Sequence, residues 1–247
     1  MTLLEAIGIR RSRRKYLPAP IEAPIAGNLQ ALAAEYSQQA GARIELVFDD
    51  AAAFDSLRKT YGMLIGVRNY AGLIARTDDR AAVERLGYYG QLLMLHAVAM
   101  GLGTCWVGGS FDRGSCPFAL ADGEEVVCTI ALGHTPAKNS LRESLIYGVT
   151  HRKTKTAGQM MSADAPAPGW FLAGMRAAQK APSAVNRQPV LFTYKNDVAT
   201  AGIPDMDNTG ALLDMGIAKL HFELGAGGGR WGWGNNATYS PDHPTAT

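Results

Sequence analysis

Ala181-Pro182-Ser183-Ala184-Val185-Asn186-Arg187-Gln188-Pro189 stands between a helical pattern, Gly169 to Lys180, and a strand pattern, Pro189 to Lys195. Two prolines stiffen it, and Ser183 and Asn186 offer short hydrogen-bonding groups at fixed places. Such a loop suits the edge of a heteroaromatic ring that carries carbonyl and imide groups. The same composition also makes an ordinary turn rich in Pro, Ser and Asn.

Downstream, Leu212 to Leu224 reads as an apolar helix that ends in the glycine run Gly225 to Gly229, and Gly232 to Thr247 as a loose surface strap. Upstream, Thr150 to Pro168 is small, polar and proline-containing, which marks a linker. Before it the same order of patterns occurs in longer form. Thr2 to Ile9 is a short amphipathic helix, Ile25 to Gln39 a second helix, and Arg43 to Phe48 alternates as a strand does. Asp49 to Tyr61 is a helix candidate opened by aspartates; Met63 to Val67 and Gly72 to Ala75 are short strand candidates. Ala81 to Met100 is a long, largely apolar helix stopped by Gly101-Leu102-Gly103. Thr104 to Val107 is extended, and Glu125 to Leu132 reads as a core strand. The echo reaches single residues: Leu95-His96 is followed ten residues after the histidine by Trp106, and Leu220-His221 at the same interval by Trp231. The matching order predicts an internal duplication, with halves at residues 1–155 and 164–247 packed as one unit.

The chain has 247 residues, 47% of them hydrophobic, enough for one large domain or two small ones sharing a core. A net charge of +2 gives no global attraction to nucleic acid, so any anion site must be local. Cys105, Cys116 and Cys128 form neither a CxxC nor a set with paired histidines, which argues against a disulfide framework and a metal site, and for reduced thiols. No apolar segment follows Arg10-Arg11 as an export signal requires, and no apolar run approaches a membrane span. These features predict a soluble, cytoplasmic protein without a membrane partner.

The local anion site is Arg10-Arg11-Ser12-Arg13-Arg14 with Lys15: five cations and a hydroxyl in six residues, just after a helix. Arginine gives fork-like, charge-assisted bonds to phosphate oxygens and serine adds a neutral donor. A solvated basic patch or a nucleic-acid contact fits the same composition, although no aromatics are interleaved for base stacking. Gly101-Leu102-Gly103-Thr104-Cys105-Trp106-Val107-Gly108-Gly109 follows a helix and opens none, so it is not a dinucleotide fingerprint; nor is Gly225 to Gly229. Gly108-Gly109 does offer backbone that a flat ligand can approach closely, and equally a plain turn.

Taken in this order, the arginine-serine start, the Pro182-Ser183-Ala184-Val185-Asn186-Arg187-Gln188-Pro189 loop and the Gly101 to Gly109 segment resemble the nitroreductase superfamily. The resemblance implies an α+β fold with a central, mostly antiparallel sheet flanked by helices. In most members the Pro-Ser loop follows soon after the arginine-serine start. Here Gln38 to Arg43 stands at that place, and the loop comes 170 residues beyond Ser12. Since each flavin of the ordinary homodimer touches the start of one subunit and the loop of the other, the chain resembles the single-chain, pseudo-dimeric branch. The resemblance then implies a monomer holding one FMN, because the second half has no arginine-serine start. Arg10, Arg11, Ser12 and Arg14 would hold the phosphate and ribityl chain, joined by Arg152 and Lys153 after the last core strand, with His151, Lys138 and Arg142 as further basic residues. Pro182, Ser183 and Asn186 would meet the ring, and the Gly108 backbone N–H, with Gly109 beside it, would face flavin N5.

The implied activity is ping-pong hydride transfer through FMN, from NADH or NADPH to a nitroaromatic or quinone-type small-molecule acceptor, with the chemistry belonging to the flavin and no catalytic side chain. His96 and His221 read as packed core histidines, and Cys105 as buried. Trp106 and Tyr88-Tyr89 line either the substrate side or the core. Two rivals remain: a non-catalytic flavin carrier or sensor of the same fold, and a basic-patch nucleic-acid binder.

Overall fold

The computed structural model describes residues 1–138, 148 and 153–242. It opens with α1 (Leu3–Ile9), where Thr2 and Glu5 cap each other reciprocally: Thr2 Oγ1 accepts from Glu5 N and the Glu5 carboxylate from Thr2 N. Helix α2 (Ala23–Ala40) has Pro24 in its first turn and stops at Gly41, whose φ of 61° lies in the left-handed region that glycine tolerates. There follow β1 (Arg43–Val47), α3 (Leu57–Thr60), β2 (Asn69–Arg76), α4 (Arg80–Ala99), β3 (Gly103–Val107) and β4 (Glu124–Gly133). The second half contains α5 (Ala157–Met160), β5 (Met161–Ala163), α6 (Gly169–Ala178), β6 (Leu191–Lys195), β7 (Val198–Gly202), α7 (Thr209–Ala226), β8 (Gly229–Trp231) and β9 (Ala237–Pro241).

The strands form two sheets. The first has the order β1-β2-β4-β3 with every pair antiparallel. The second has the order β5-β6-β7-β9-β8. Its last four strands repeat the order and the antiparallel pairing of the first sheet, and β5 adds to β6 in parallel. Apart from the short α3, the sequences α2-β1-β2-α4-β3-β4 and α6-β6-β7-α7-β8-β9 trace the same path. The fold is α+β.

Both faces of the first sheet are covered, which is why β2 reads as a continuous apolar run. Its Ala71, Leu73 and Ala75 join the main cluster, whereas Tyr70 and Ile74 face a smaller one with Tyr16, Phe54 and Phe111. The main cluster spans the two halves, taking in Leu86, Leu93 and Met94 of α4, Leu213 and Ile217 of α7, Phe171 and Met175 of α6, and Phe192 of β6. At its centre α4 and α7 cross with their backbones touching. A Cβ on Gly87 would overlap the backbone at Leu213, and one on Gly216 the backbone at Glu84.

Several local expectations need correction. Asp49 to Tyr61 is helical only over Leu57–Thr60. Asp49 sits at a φ of 55° with its N–H bound to Asn69 Oδ1, and Asp50 accepts from Ala52 N, so the aspartates build a turn rather than a cap. Met63 to Val67 is not a strand: left-handed Gly62 and Gly66 flank a single bridge from Ile65 to Lys15. The linker carries α5 and β5, and the tail up to residue 242 is no loose strap, since β9 pairs with both β7 and β8.

Candidate functional site

Helix α1 ends where Arg10 turns extended, its N–H still closing the last turn on Ala6 O. The extended segment then passes β3, with Ser12 bridged in parallel to Thr104 and Arg13 N–H donated to Thr104 O at 2.9 Å, and goes on beside Ile65, whose N–H donates to Arg14 O. Alternation in an extended segment puts Arg10, Ser12 and Arg14 on one side and Arg11, Arg13 and Lys15 on the other. Arg10, Ser12 and Arg14 are half-buried and Arg11 and Lys15 exposed, while Arg13, on the second side, is also half-buried. Arg13 is spent on structure, donating to Pro136 O at 2.8 Å. Lys138, exposed, lies two residues beyond that carbonyl.

Arg10 reaches α7. Its Nε and Nη1 are closed to solvent, and its charge, after burial itself, helps push His221 down to about 3. His221 is therefore neutral, which its bonds require. Trp106 Nε1 donates to Gln91 Oε1 at 2.8 Å, Gln91 Nε2 lies 2.9 Å from His221 Nε2, and His221 Nδ1 lies 3.2 Å from Ala177 O. One buried chain of bonds thus ties β3, α4, α7 and α6. His221 is the packed core histidine that its apolar helix predicts; His96 is only half-buried, against Tyr36.

The Pro-Ser loop leaves α6 and crosses a short 3-10 turn at Ala184–Asn186. Val185, Asn186 and Gln188 hold φ values of 44°, 52° and 47°. Three non-glycine residues in the left-handed region store strain, which persists only where surroundings over-determine the backbone. The buried Gln188 side chain accepts from Lys155 N at 2.7 Å and donates to Gln179 O at 2.9 Å, and Lys155 Nζ donates to Gln188 O. Ser183 Oγ accepts from Gln188 N at 2.9 Å, so its own proton is free for another acceptor. Asn186 Nδ2 donates to Thr154 Oγ1 at 3.5 Å. Lys153, exposed, adjoins that threonine; Arg152, His151 and Arg142 lie outside the described residues. The Ala184 N–H is taken by Asp214 of α7, 3.2 Å from each carboxylate oxygen.

Asp214 and His221 are seven residues apart, two turns and about 10.5 Å along one face of α7. The helix thereby carries the Pro-Ser loop near one point and Arg10 near the other. Strand β3, tied to α7 through Trp106, Gln91 and His221, leads into Gly108-Gly109. Both are exposed, and a Cβ built on either would meet nothing within 4 Å. The turn is nevertheless fixed: Arg113 Nη2 donates to Gly108 O at 2.8 Å and Arg113 Nε to Val126 O. Asp214 also contributes to raising Cys128 on β4, behind burial as the main cause, which brings the Pro-Ser side within electrostatic reach of this sheet. Two segments distant in sequence, one cationic and one a strained polar loop, thus meet α7, and β3 with its uncluttered turn is joined to the same helix by the Trp106–Gln91–His221 bonds. This is a fit for an elongated anion bearing a flat ring. Asp214 and Arg113 are the residues that motif reading missed, and Gln188, part of the loop motif, is the one it gave no role. Asp214 had a signal, a lone carboxylate in the apolar run Leu212-Leu213-Asp214-Met215.

Tyr88 and Tyr89, both half-buried, pack on the exposed Trp233, and Trp106 serves the buried chain. Cys105, Cys116 and Cys128 form no disulfide, and Cys105 and Cys128 are buried. Among the described residues no group of three or more His, Cys, Asp or Glu side chains is placed to hold a metal, and no helix is long and apolar enough to cross a membrane.

The family model described as "Putative TM nitroreductase" matches residues 2–226. No curated protein matches the chain. Among solved structures, one described as a putative nitroreductase from Thermotoga maritima superposes with a TM-score of 0.67 at 20% identity, over 97% of this chain and 92% of its own. A putative NADH dehydrogenase/NAD(P)H nitroreductase from Parabacteroides distasonis aligns at a TM-score of 0.44 and 22% identity, over 56% of this chain and 89% of its own. An FMN-dependent nitroreductase from Clostridium difficile aligns at 0.40 and 16%, over 60% of this chain and 96% of its own. With the family model matched from residue 2 to residue 226, on a fold shared with the Thermotoga structure, the chain belongs to the "Putative TM nitroreductase" family.

Proposed function

We propose that this chain is an FMN-dependent oxidoreductase that takes reducing equivalents from NADH or NADPH and delivers them to a nitroaromatic or quinone-type acceptor. The observation that carries the reading is the gathering, along one face of α7, of an arginine-rich segment from the first half and a strained Pro-Ser loop from the second. Arg10, Ser12 and Arg14 would hold the phosphate and ribityl chain from one side of their extended segment, with Arg11 at the exposed rim. Arg152 and Lys153 complete the cationic set. Pro182, Ser183 and Asn186 meet the ring edge, where the free Ser183 proton suits a carbonyl acceptor. The Gly108 N–H, with Gly109 beside it, faces N5, and the absence of side chains there leaves room for a nicotinamide or an acceptor to stack.

Bound FMN supplies hydride chemistry, accepting reducing equivalents in one half-reaction and releasing them in the other. The chain's own part is to grip the phosphate, orient the ring and keep its reactive face accessible, and none of these tasks needs a nucleophile or a general acid. We read residues 1–155 and 164–247 as the two halves of a fused dimer, acting as a monomer with one flavin. Two features support that count: no arginine start precedes the second half, and Trp233 stands where the first half has Gly108. We place the chain in a reducing cytoplasm, which suits three cysteines that form no disulfide.

The test is titration of purified protein with FMN, followed by NADH and NADPH oxidation with a nitroarene and a quinone. One FMN per chain with turnover supports the proposal. FMN retained without turnover points instead to a carrier or sensor. A protein that stays colourless with excess FMN refutes the reading, and a salt-dependent shift of DNA or RNA would then favour the nucleic-acid binder.

A further inference from the structure

We propose that Asp214 is the positioning residue of the Pro-Ser loop, fixing the Ala184 amide from α7 and so setting Ser183 and Asn186 at the edge of the flavin. The inference rests on the flavin reading and adds to it a residue outside the loop itself. Ala184 N–H lies 3.2 Å from both Asp214 oxygens, a fork that fixes the start of the 3-10 turn. Beyond it the backbone climbs into three left-handed, non-glycine residues, which need restraint at both ends. Gln188 restrains the far end through Lys155, Gln179 and Ser183, and Asp214 the near end. The carboxylate also lines a small cavity with Pro182, Ser183, Gln188 and Pro189. Pro182 and Ser183, two of the loop residues proposed to touch the ring, therefore share one wall with the residue that holds the loop.

Asp214 is 6% exposed, and burial pushes it up to about 7 against the pull of the Ala184 N–H and of Arg187. The titratable groups within reach are Arg187 on the loop and the Cys128 thiol on β4, which burial holds far above neutrality. The ionised carboxylate accepts a stronger, charge-assisted bond than the acid does, so the loop is held more firmly above pH 7. Folding runs the other way. Between pH 4 and 7 the folded chain keeps a proton that the unfolded chain has lost, so the stability owed to this group falls as pH rises through that window.

The experiment measures FMN affinity by fluorescence quenching from pH 6 to 8 in wild type, Asp214→Asn and Asp214→Ala, with urea melts at each pH. Titration of the FMN phosphate is common to all three and cancels in their ratios. In wild type the Kd rises as pH falls. Asp214→Asn removes the extra pH dependence while melting no lower than wild type at pH 8. Asp214→Ala leaves the Ala184 amide without its partner and weakens FMN about tenfold at pH 8. Should Asp214→Ala not fold, the asparagine variant carries the test. Variants that bind FMN as wild type does, with the same profile, overturn the role of Asp214 and leave the flavin reading standing. A wild type that binds no FMN at any pH overturns both.

Discussion

After β3 the chain turns through Gly108-Gly109, and after β8 it turns through Trp233-Gly234, each just beyond the tryptophan of its strand. The strands hold matching places in sheets of the same order, yet the surroundings differ. Gly108 and Gly109 are exposed and face open space, braced from behind by Arg113. Trp233 instead packs at 5.5 Å, ring edge to face, on Tyr88 and at 6.3 Å on Tyr89. Beneath it the Lys219 ammonium, wholly buried, donates to Glu84, Gly232 O and Gly234 O, while Gly234 N–H donates to the other Glu84 oxygen. Sheets of the same strand order thus end in a turn open to solvent in the first half, and in the second in a turn whose Gly232 and Gly234 backbone joins α4, α7 and the C-terminal strands.

The largest effect should come from breaking the packed side. Every donor of Lys219 is used, and burial disfavours both charges, raising Glu84 and lowering Lys219 against their mutual attraction. Removing one partner strands the other, which typically costs about 3–5 kcal/mol. Lys219→Met should therefore lower the urea midpoint far more than any change at Gly108, and Glu84→Gln should do so nearly as strongly. The double variant Glu84→Gln/Lys219→Met should regain much of the loss, because no unpaired charge remains. A single variant that melts like wild type would show that the pair contributes nothing to cohesion.

That pair also shows what the sequence could and could not disclose. The arginine start and the Pro-Ser loop are legible because their chemistry is local: clustered charge and proline-stiffened backbone look alike in any fold. Lys219, Glu84 and Asp214 act only through partners brought in from distant elements. Their one trace is a charge inside an apolar helical run, which names an anomaly and not its partner. The repeat was readable from Leu95-His96 to Trp106 and Leu220-His221 to Trp231, because the long helices carry strong periodicity. Strands β8 and β9 were not, since three and five residues around a glycine- and asparagine-rich turn have too little pattern to register. Asp49 and Asp50 misled for a related reason, as the side chains that cap helices also close turns.

On the receptive side the effects should appear in binding and hardly in stability. Arg10→Ala and Arg14→Ala each delete a charged donor from the half-buried side of the segment. A hydrogen bond to a charged group is worth about 1.5–3 kcal/mol, so FMN affinity should drop by about ten- to a hundredfold. Arg11→Ala, on the exposed side, should lose much less. Equilibrium dialysis with FMN compares the three. Equal losses at all three positions would contradict the alternation of the segment.

The smallest changes are expected from exchanging residues between the two turns. Gly108→Val places a side chain in open space, so the urea midpoint should shift by no more than about 0.5 kcal/mol in stability, while FMN binding weakens because the added atoms occupy the approach to the turn. Trp233→Gly removes two aromatic contacts and should cost about 1–2 kcal/mol. It should not create a second flavin site, since the second half supplies no arginine-serine start and the α2–β1 connection at Gly41-Ala42 is a tight turn without a Pro-Ser loop. FMN stoichiometry should remain one per chain in Trp233→Gly. A second equivalent of bound flavin in that variant would mean that Trp233 alone had closed the second site, and the contrast between the turns would reduce to a single side chain.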